Sequence, residues 1–405
     1  MFLVGMVDYP IEKGVVDVEH GFEVSQHIEE QSIVLLKNDK SILPLTSKVK
    51  SIALIGGHAD VGMISGGGSA QVDPPGGNAI MPPGQGATHW QDHIWFPTSP
   101  LKALQAKLPG AKIEYNAGTD LSAAAALAKS SDVAIVFAYQ WISEGMDLPS
   151  LSLPDNQDAL IAAVAKANSH TIVVLETGTA VTMPWLKDVD GVVEAWYAGS
   201  RGHIALANVL TGEVNATGKL AMTFPKSEQD LPHPTIPVLM KEDEGQGTGA
   251  VNGPDHVGSK YSVSYDEGVK VGYKWYEAEH KQPLFPFGFG LSYTSYSYSD
   301  LKTDSGQKTV SFKVKNSGKR AGTEIAEIYA ELPDKADEPF KRLVGWQRVE
   351  LGPGESKTVS VTVDPQMLSI FDETSNSWQL LKGKYRITAG SSSEDAPLKG
   401  TIEVK

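Results

Sequence analysis

The strongest constraint in this 405-residue sequence is a change of hydrophobic periodicity well past its midpoint. Between residues 18 and 230, apolar runs without polar alternation recur at Ile52–Ile55, Val133–Ala138, Thr171–Leu175 and Val192–Tyr197. Helix-length pieces separate them: Pro100–Leu108, the alanine-rich Leu121–Lys129, Asn156–Ala167 and His203–Leu210. A strand with no polar face must be covered on both sides. The pattern therefore predicts a mostly parallel sheet between two helical layers, an α/β sandwich. Ahead of it, Val24, Ile28 and Ile33 fall near helical spacing, Ser-Ile-Val-Leu-Leu from residue 32 reads as a strand, and Asn38-Asp39 as a turn.

From residue 286 the period becomes two. Val310, Phe312 and Val314 alternate with polar residues, as do Val359, Val361 and Val363; Ile328 alternates with Glu327, and Tyr329 with Glu331. Gly352-Pro353-Gly354 and Lys382-Gly383 supply turns, and no helix-length piece intervenes. Residues 286–405 thus predict an all-β sandwich of immunoglobulin or fibronectin type III type. Residues 231–285 read as a loop-rich connector, broken by Gly245-Gln246-Gly247-Thr248-Gly249 and Asn252-Gly253-Pro254, with one strand expected at Val269–Trp275.

Charge and composition exclude several functions. With 49 acidic against 35 basic residues the net charge is −14, which argues against nucleic acid or an anionic membrane as partner. No apolar run approaches the roughly 18 residues of a membrane span. The absence of cysteine removes disulfides, thiolate metal sites and cysteine nucleophiles, and leaves the redox compartment open. The amino terminus lacks the features of a signal peptide and reads as a segment entered mid-protein.

No cofactor is expected. Gly56-Gly57 to Gly62 lacks the G-x-G-x-x-G spacing, and Gly212 to Gly218-Lys219 has one residue too many for a P-loop and a leucine where a hydroxyl is needed. G-x-S-x-G does not occur. His89 and His93 stand four apart, but Trp90, Trp95 and nearby prolines favour an aromatic loop over a metal site.

Two segments carry candidate chemistry. Ser65-Gly66-Gly67-Gly68-Ser69-Ala70-Gln71-Val72 follows the first strand of the α/β region. Loops at the carboxyl ends of parallel strands form binding crevices, and glycine permits close approach of a ligand; the alternative is a tight turn without one. Ser69 is its candidate substrate contact. The second segment, Tyr139 to Pro154, follows another strand and contains Trp141 and Glu144, with Asp155 or Asn156 as a helix cap. A glutamate there suits a general acid with a pKa raised by an apolar wall; the alternative is an exposed loop carboxylate. Trp90, Trp95 and Trp141 offer faces for sugar rings, Trp141 foremost; the alternative, and the commoner role of such residues, is core or rim packing.

The ordered segments resemble family 3 glycoside hydrolases, the β-glucosidase group. Ser32-Ile33-Val34-Leu35-Leu36-Lys37-Asn38 is similar to the family's entry into its α/β sandwich. The Gly-Gly-Gly-Ser-Ala stretch, Glu144-Gly145-Met146-Asp147 and Ala195-Trp196-Tyr197-Ala198-Gly199 follow in family order. Pro286-Phe287-Gly288-Phe289-Gly290-Leu291-Ser292-Tyr293-Thr294 is the most specific string, and Gly345-Trp346 with Gly352-Pro353-Gly354-Glu355-Ser356 match its fibronectin type III-like module. Three places depart from the family: Leu148, where arginine is common; Ser200-Arg201 within the Gly199–Gly202 stretch; and Asn215-Ala216-Thr217, an N-x-T pattern read here as a turn.

The resemblance implies a retaining β-glycosidase acting on β-glucosides or oligosaccharides. Glu144 is its acid/base, and an aspartate nucleophile lies on an amino-terminal TIM barrel. Such a barrel needs about 250 residues; residues 1–17 are at most a linker or the remnant of its end. The expectation is therefore a chain incomplete for catalysis by itself, with a barrel domain or barrel chain as partner, or a homo-oligomer formed through the exposed apolar face. The competing expectation is a non-catalytic carbohydrate-binding or scaffolding protein. The resemblance also implies a periplasmic or secreted setting. The subsite that selects the sugar would lie largely on the barrel.

Overall fold

The computed structural model describes residues 14–80, 93–144, 148–234 and 264–405. Its first part is helix α1 (Val18–Ser32), strands β1 (Val34–Asn38) and β2 (Ser51–Ile55), the two-residue strands β3 (Met63–Ile64) and β4 (Trp95–Phe96), then α2 (Pro100–Lys107) and β5 (Lys112–Asn116). It continues through α3 (Leu121–Lys129), β6 (Val133–Gln140), α4 (Gln157–Ala167), β7 (Thr171–Thr177), β8 (Gly191–Glu194) and α5 (Gly202–Thr211). Six strands form one sheet in the order β1-β8-β7-β6-β2-β5. All neighbours are parallel except β1, which runs antiparallel to β8.

The missing polar alternation now has its physical reason. Ile52, Leu54, Ile135 and Phe137 pack on one face against α2 and α5, through Leu104, Leu206 and Val209. Ala53, Ile55, Ala134 and Val136 pack on the other against α3 and α4, through Ala124, Ala128, Ile161 and Val164. Helix starts are set by caps: Ser99 Oγ accepts from the Lys102 amide and Asp120 from those of Ser122 and Ala123. Asn156 occupies the cap position of α4 in the left-handed region and makes no side-chain cap. Gln157 instead exchanges two hydrogen bonds with the Tyr139 backbone, at 2.9 and 2.8 Å, fastening α4 to the end of β6.

Two sequence expectations are corrected. Val269–Trp275 is not a strand: Val269 stands exposed on a turn, Val271 is exposed just after it, and Tyr273–Ala278 forms helix α6. The run Val192–Tyr197 is strand only to Glu194, because Trp196 takes a left-handed conformation (φ 50°).

The last part is all antiparallel β. Strands β9 (Tyr296–Asp304), β10 (Thr309–Asn316) and β13 (Ser356–Thr362) form one sheet. The other has β11 (Gly322–Glu331), β12 (Lys341–Leu351), β16 (Gly383–Gly390) and β17 (Leu398–Val404), and β14 (Ser369–Asp372) pairs with β15 (Ser377–Leu380) as a hairpin. Val310, Phe312, Ile328, Val359 and Ile387 meet in its core. Glu324 and Glu327 of β11 are buried rather than solvated, because β11 lies against the α/β part. Lys219 pairs with Glu324 at 3.4 Å, both nearly covered, and Tyr298 donates to the same carboxylate at 2.6 Å. At Gly288 (φ 82°), a Cβ would stand 2.2 Å from the Glu327 carboxylate, and at Gly290 2.1 Å from the Gly218 carbonyl. The glycines of Pro-Phe-Gly-Phe-Gly thus serve close packing between the two parts.

Candidate active site

The parallel strands β2 and β6 are neighbours, so the loops leaving their carboxyl ends emerge side by side. This brings the glycine-rich segment onto the Glu144 segment. The Gly67 amide donates to the Ile142 carbonyl at 2.9 Å, and Gly67 and Ser143 form a parallel bridge. A Cβ on Gly67 would meet the Trp141 ring at 2.5 Å. On Gly68, in the left-handed region (φ 79°), it would fall 2.3 Å from the Glu144 Cβ. Only glycine allows the two segments to approach this closely.

One turn further, the Ser69 amide donates to Glu144 Oε2 at 2.8 Å, and the Ser69 hydroxyl donates to the same oxygen. These hydrogen bonds hold the Glu144 carboxyl below its ordinary range. Glu144 is exposed, and among the described residues no apolar wall encloses it. That corrects the sequence-based expectation for its charge state: desolvation is present but outweighed by the two Ser69 donors. Ser69 is likewise exposed.

Trp141 is half-buried beside them, its ring 4.5 Å from that of His93 and its indole nitrogen covered without a hydrogen-bond partner. Trp95 is not available to a sugar. It is 3% exposed, packed edge-on against His58 and Tyr139. Trp90 and His89 lie outside the described residues. Ser69, Trp141 and Glu144 therefore stand together on one rim. Among the described residues, no group of three or more His, Asp or Glu side chains is placed to hold a metal ion.

Beneath the rim are groups that sequence reasoning did not single out. Tyr197 donates to the Gln140 carbonyl at 2.7 Å and accepts from the Ile142 amide at 2.9 Å. Glu176 is the penultimate residue of β7 and Glu194 the last of β8, both fully buried, and Glu29 of α1 is buried with them; burial pushes all three carboxyls up. The signal was a carboxylate closing an apolar run, as in Thr-Ile-Val-Val-Leu-Glu and Gly-Val-Val-Glu.

The molecule is thus an α/β sandwich joined to a fibronectin-like β-sandwich, with a carboxylate on a loop at the sheet's carboxyl edge. Residues 33–293 match the glycosyl hydrolase family 3 C-terminal domain, and residues 324–393 a fibronectin type III-like domain. The chain belongs to glycosyl hydrolase family 3. It is 36% identical to thermostable beta-glucosidase B of Acetivibrio thermocellus, over 97% of this chain and 50% of that protein. It is 32% identical to an exo-alpha-(1->6)-L-arabinopyranosidase of Bifidobacterium breve, over 96% and 49% respectively. The structure of DesR, a beta-glucosidase from Streptomyces venezuelae in complex with D-glucose, superposes with a TM-score of 0.80 at 28% identity, covering 98% of this chain and 62% of that one. The chain spans about half the length of the curated relatives it matches.

Proposed function

We propose that this chain supplies the acid/base glutamate, Glu144, of a retaining β-glycosidase acting on terminal β-D-glucosides. The aspartate nucleophile comes from a TIM barrel, on another segment or another chain. The observation that carries the reading is the joining of the Gly-Gly-Gly-Ser loop to Glu144 through Ser69, which fixes one carboxyl at the mouth of the sheet. In a retaining mechanism the two carboxyl groups stand about 5–5.5 Å apart. The aspartate attacks the anomeric carbon as the glycosidic bond breaks, and Glu144 passes its proton to the leaving oxygen. Glu144 then takes a proton from water, whose oxygen displaces the aspartate and frees the sugar. Trp141 and Ser69 line the rim where the leaving group departs. The exposed Val15, Val16, Val18, Val24 and Ile28 at and before α1 support a covering surface there, which we assign to the barrel.

The test is turnover of β-glucosides by the assembled enzyme, this chain with its barrel. Glu144→Gln lowers turnover by about 10²–10⁴-fold, most for alkyl glucosides with poor leaving groups. Unchanged turnover overturns the assignment. Glucose or cellobiose binding without turnover in the assembled wild-type protein supports the carbohydrate-binding reading instead.

A further inference from the structure

We propose that Tyr197 is a positioning residue for Glu144, its hydroxyl locking the exit of β6 so that the carboxyl meets Ser69. Gln140 is the last residue of β6, and Ile142 lies two before Glu144. The Tyr197 hydroxyl bonds both, donating to the Gln140 carbonyl at 2.7 Å and accepting from the Ile142 amide at 2.9 Å, and so brackets Trp141. The Ile142 carbonyl in turn accepts from Gly67 at 2.9 Å. The path closes through Gly68 and Ser69 on the Glu144 carboxylate. Displacing the Ile142 amide therefore displaces both the segment that carries Glu144 and the loop that holds its carboxyl.

The surroundings are cleared for this ring. A Cβ at Gly66 would lie 2.8 Å from the Tyr197 ring, and one at Gly178 would lie 2.8 Å from the ring and 2.4 Å from the Ile142 side chain. Three loops, after β2, β6 and β7, thus converge on one tyrosine at the end of β8. A hydroxyl that donates and accepts at once has to keep its proton. Burial, together with Glu194 and Glu176 facing it, pushes the Tyr197 phenol up and ensures that it does.

The proposal rests on Glu144 being the acid/base, but its test does not read catalysis alone. In wild-type chain, the Ile142 amide exchanges with solvent at least tenfold more slowly than a loop amide without a partner; fast exchange overturns the proposal. Tyr197→Phe keeps the ring and removes both bonds. Its Ile142 amide then exchanges at least tenfold faster, and carbon-13 titration shows the Glu144 carboxyl moving up, the direction Ser69→Ala also gives. Tyr293→Phe, which removes a hydroxyl bonded to the Val209 carbonyl far from the rim, is the structural control and leaves the Glu144 titration unmoved. In the assembled enzyme, Tyr197→Phe lowers kcat by roughly 10- to 100-fold with KM little changed. A folded Tyr197→Phe chain with an unmoved Glu144 titration overturns the proposal and leaves the Glu144 assignment standing. Unchanged turnover in Glu144→Gln removes that assignment without touching the titration result.

Discussion

Replacing Glu29 by glutamine should make the folded chain more stable at neutral pH and flatten its dependence on pH. Glu29 is the one buried residue of α1, and its Oε1 has no hydrogen-bond partner. Facing it are Glu176, with neither carboxyl oxygen partnered, and Glu194, which accepts from the Thr177 hydroxyl at 3.0 Å and the Trp196 amide at 2.9 Å. Tyr197 and Tyr139 border the cluster, and among the described residues no lysine, arginine or histidine forms an ion pair with its three carboxyls. Burial raises the Glu29 pKa from 4.5 to about 8. Below pH 4.5 both folded and unfolded states hold the proton, and the stabilisation is complete. Above it the unfolded state releases the proton first, so stability falls by about 1.4 kcal/mol per pH unit until the folded carboxyl also ionises near pH 8. The interval from 4.5 to about 8 corresponds to about 5 kcal/mol in all, of which about 3 is lost by pH 7. Glutamine carries no such term. The assay is urea unfolding followed by tryptophan fluorescence between pH 5 and 8. Trp196 reports directly on α1, donating its indole N–H to the Ser32 carbonyl at 3.2 Å. The variant should match wild type near pH 5 and exceed it by up to about 3 kcal/mol at pH 7. Any slope left in the variant belongs to the other shifted groups, Glu176, Glu194, Glu324, Glu327 and His203 among them. Parallel curves, or a variant weaker than wild type at pH 8, would refute the reasoning.

Two further perturbations probe the rim and the junction. Gly68→Ala forces a left-handed residue, at about 1–2 kcal/mol, and its Cβ onto that of Glu144, so the Glu144 carboxyl should lose its Ser69 donors and titrate higher by carbon-13 NMR. Lys219→Met leaves Glu324 buried with only Tyr298 as donor, and should cost about 3–5 kcal/mol in denaturant unfolding. Glu324→Gln in the same background should recover much of that loss, and failure to do so would show that the pair's charge is not what matters.

The layering was legible because burial on both faces leaves its mark in every strand at once. Val133–Ala138 has no polar residue, and both of its faces meet helices. β5 escaped notice because it is the sheet's edge, and Lys112 and Glu114 interrupt its apolar pattern with solvent-facing charge. Val269 and Val271 misled in the opposite sense: β-branched residues favour strands only when there is a sheet to join, and these two stand exposed in the turn segment ahead of α6. At the site, Ser69 and Glu144 were each readable as candidates, but their hydrogen bond spans 75 residues and depends on β2 and β6 being neighbours. The Glu144 charge state was misjudged for the same reason, since the donors that set it are non-local. Tyr197 stood in a quoted motif, yet nothing in Ala-Trp-Tyr-Ala-Gly says that its hydroxyl reaches back to β6.

The depressed carboxyl of Glu144 bears on how the proposed enzyme changes its catalytic role between steps. A general acid must hold a proton when the glycosidic bond breaks, and Ser69 favours the carboxylate. In the proposed retaining arrangement an ionised aspartate about 5 Å away would oppose this. At an effective dielectric of about 20, two like charges at that distance repel by about 3.3 kcal/mol, or about 2.4 pKa units. Docking of the barrel adds desolvation in the same direction. On the proposed reading the acid is made by assembly, while in this chain the two Ser69 donors favour the carboxylate. Once the aspartate is esterified in the glycosyl intermediate its charge is gone, and the repulsion that held the proton on Glu144 goes with it. The two Ser69 hydrogen bonds then favour the carboxylate, the form that takes a proton from water. Removing the Ser69 hydroxyl should accordingly leave glycosylation nearly intact and slow deglycosylation. Pre-steady-state release of nitrophenol from an aryl glucoside would show this as a burst larger than in wild type, and an unchanged burst would mean that Ser69 does not set the second step.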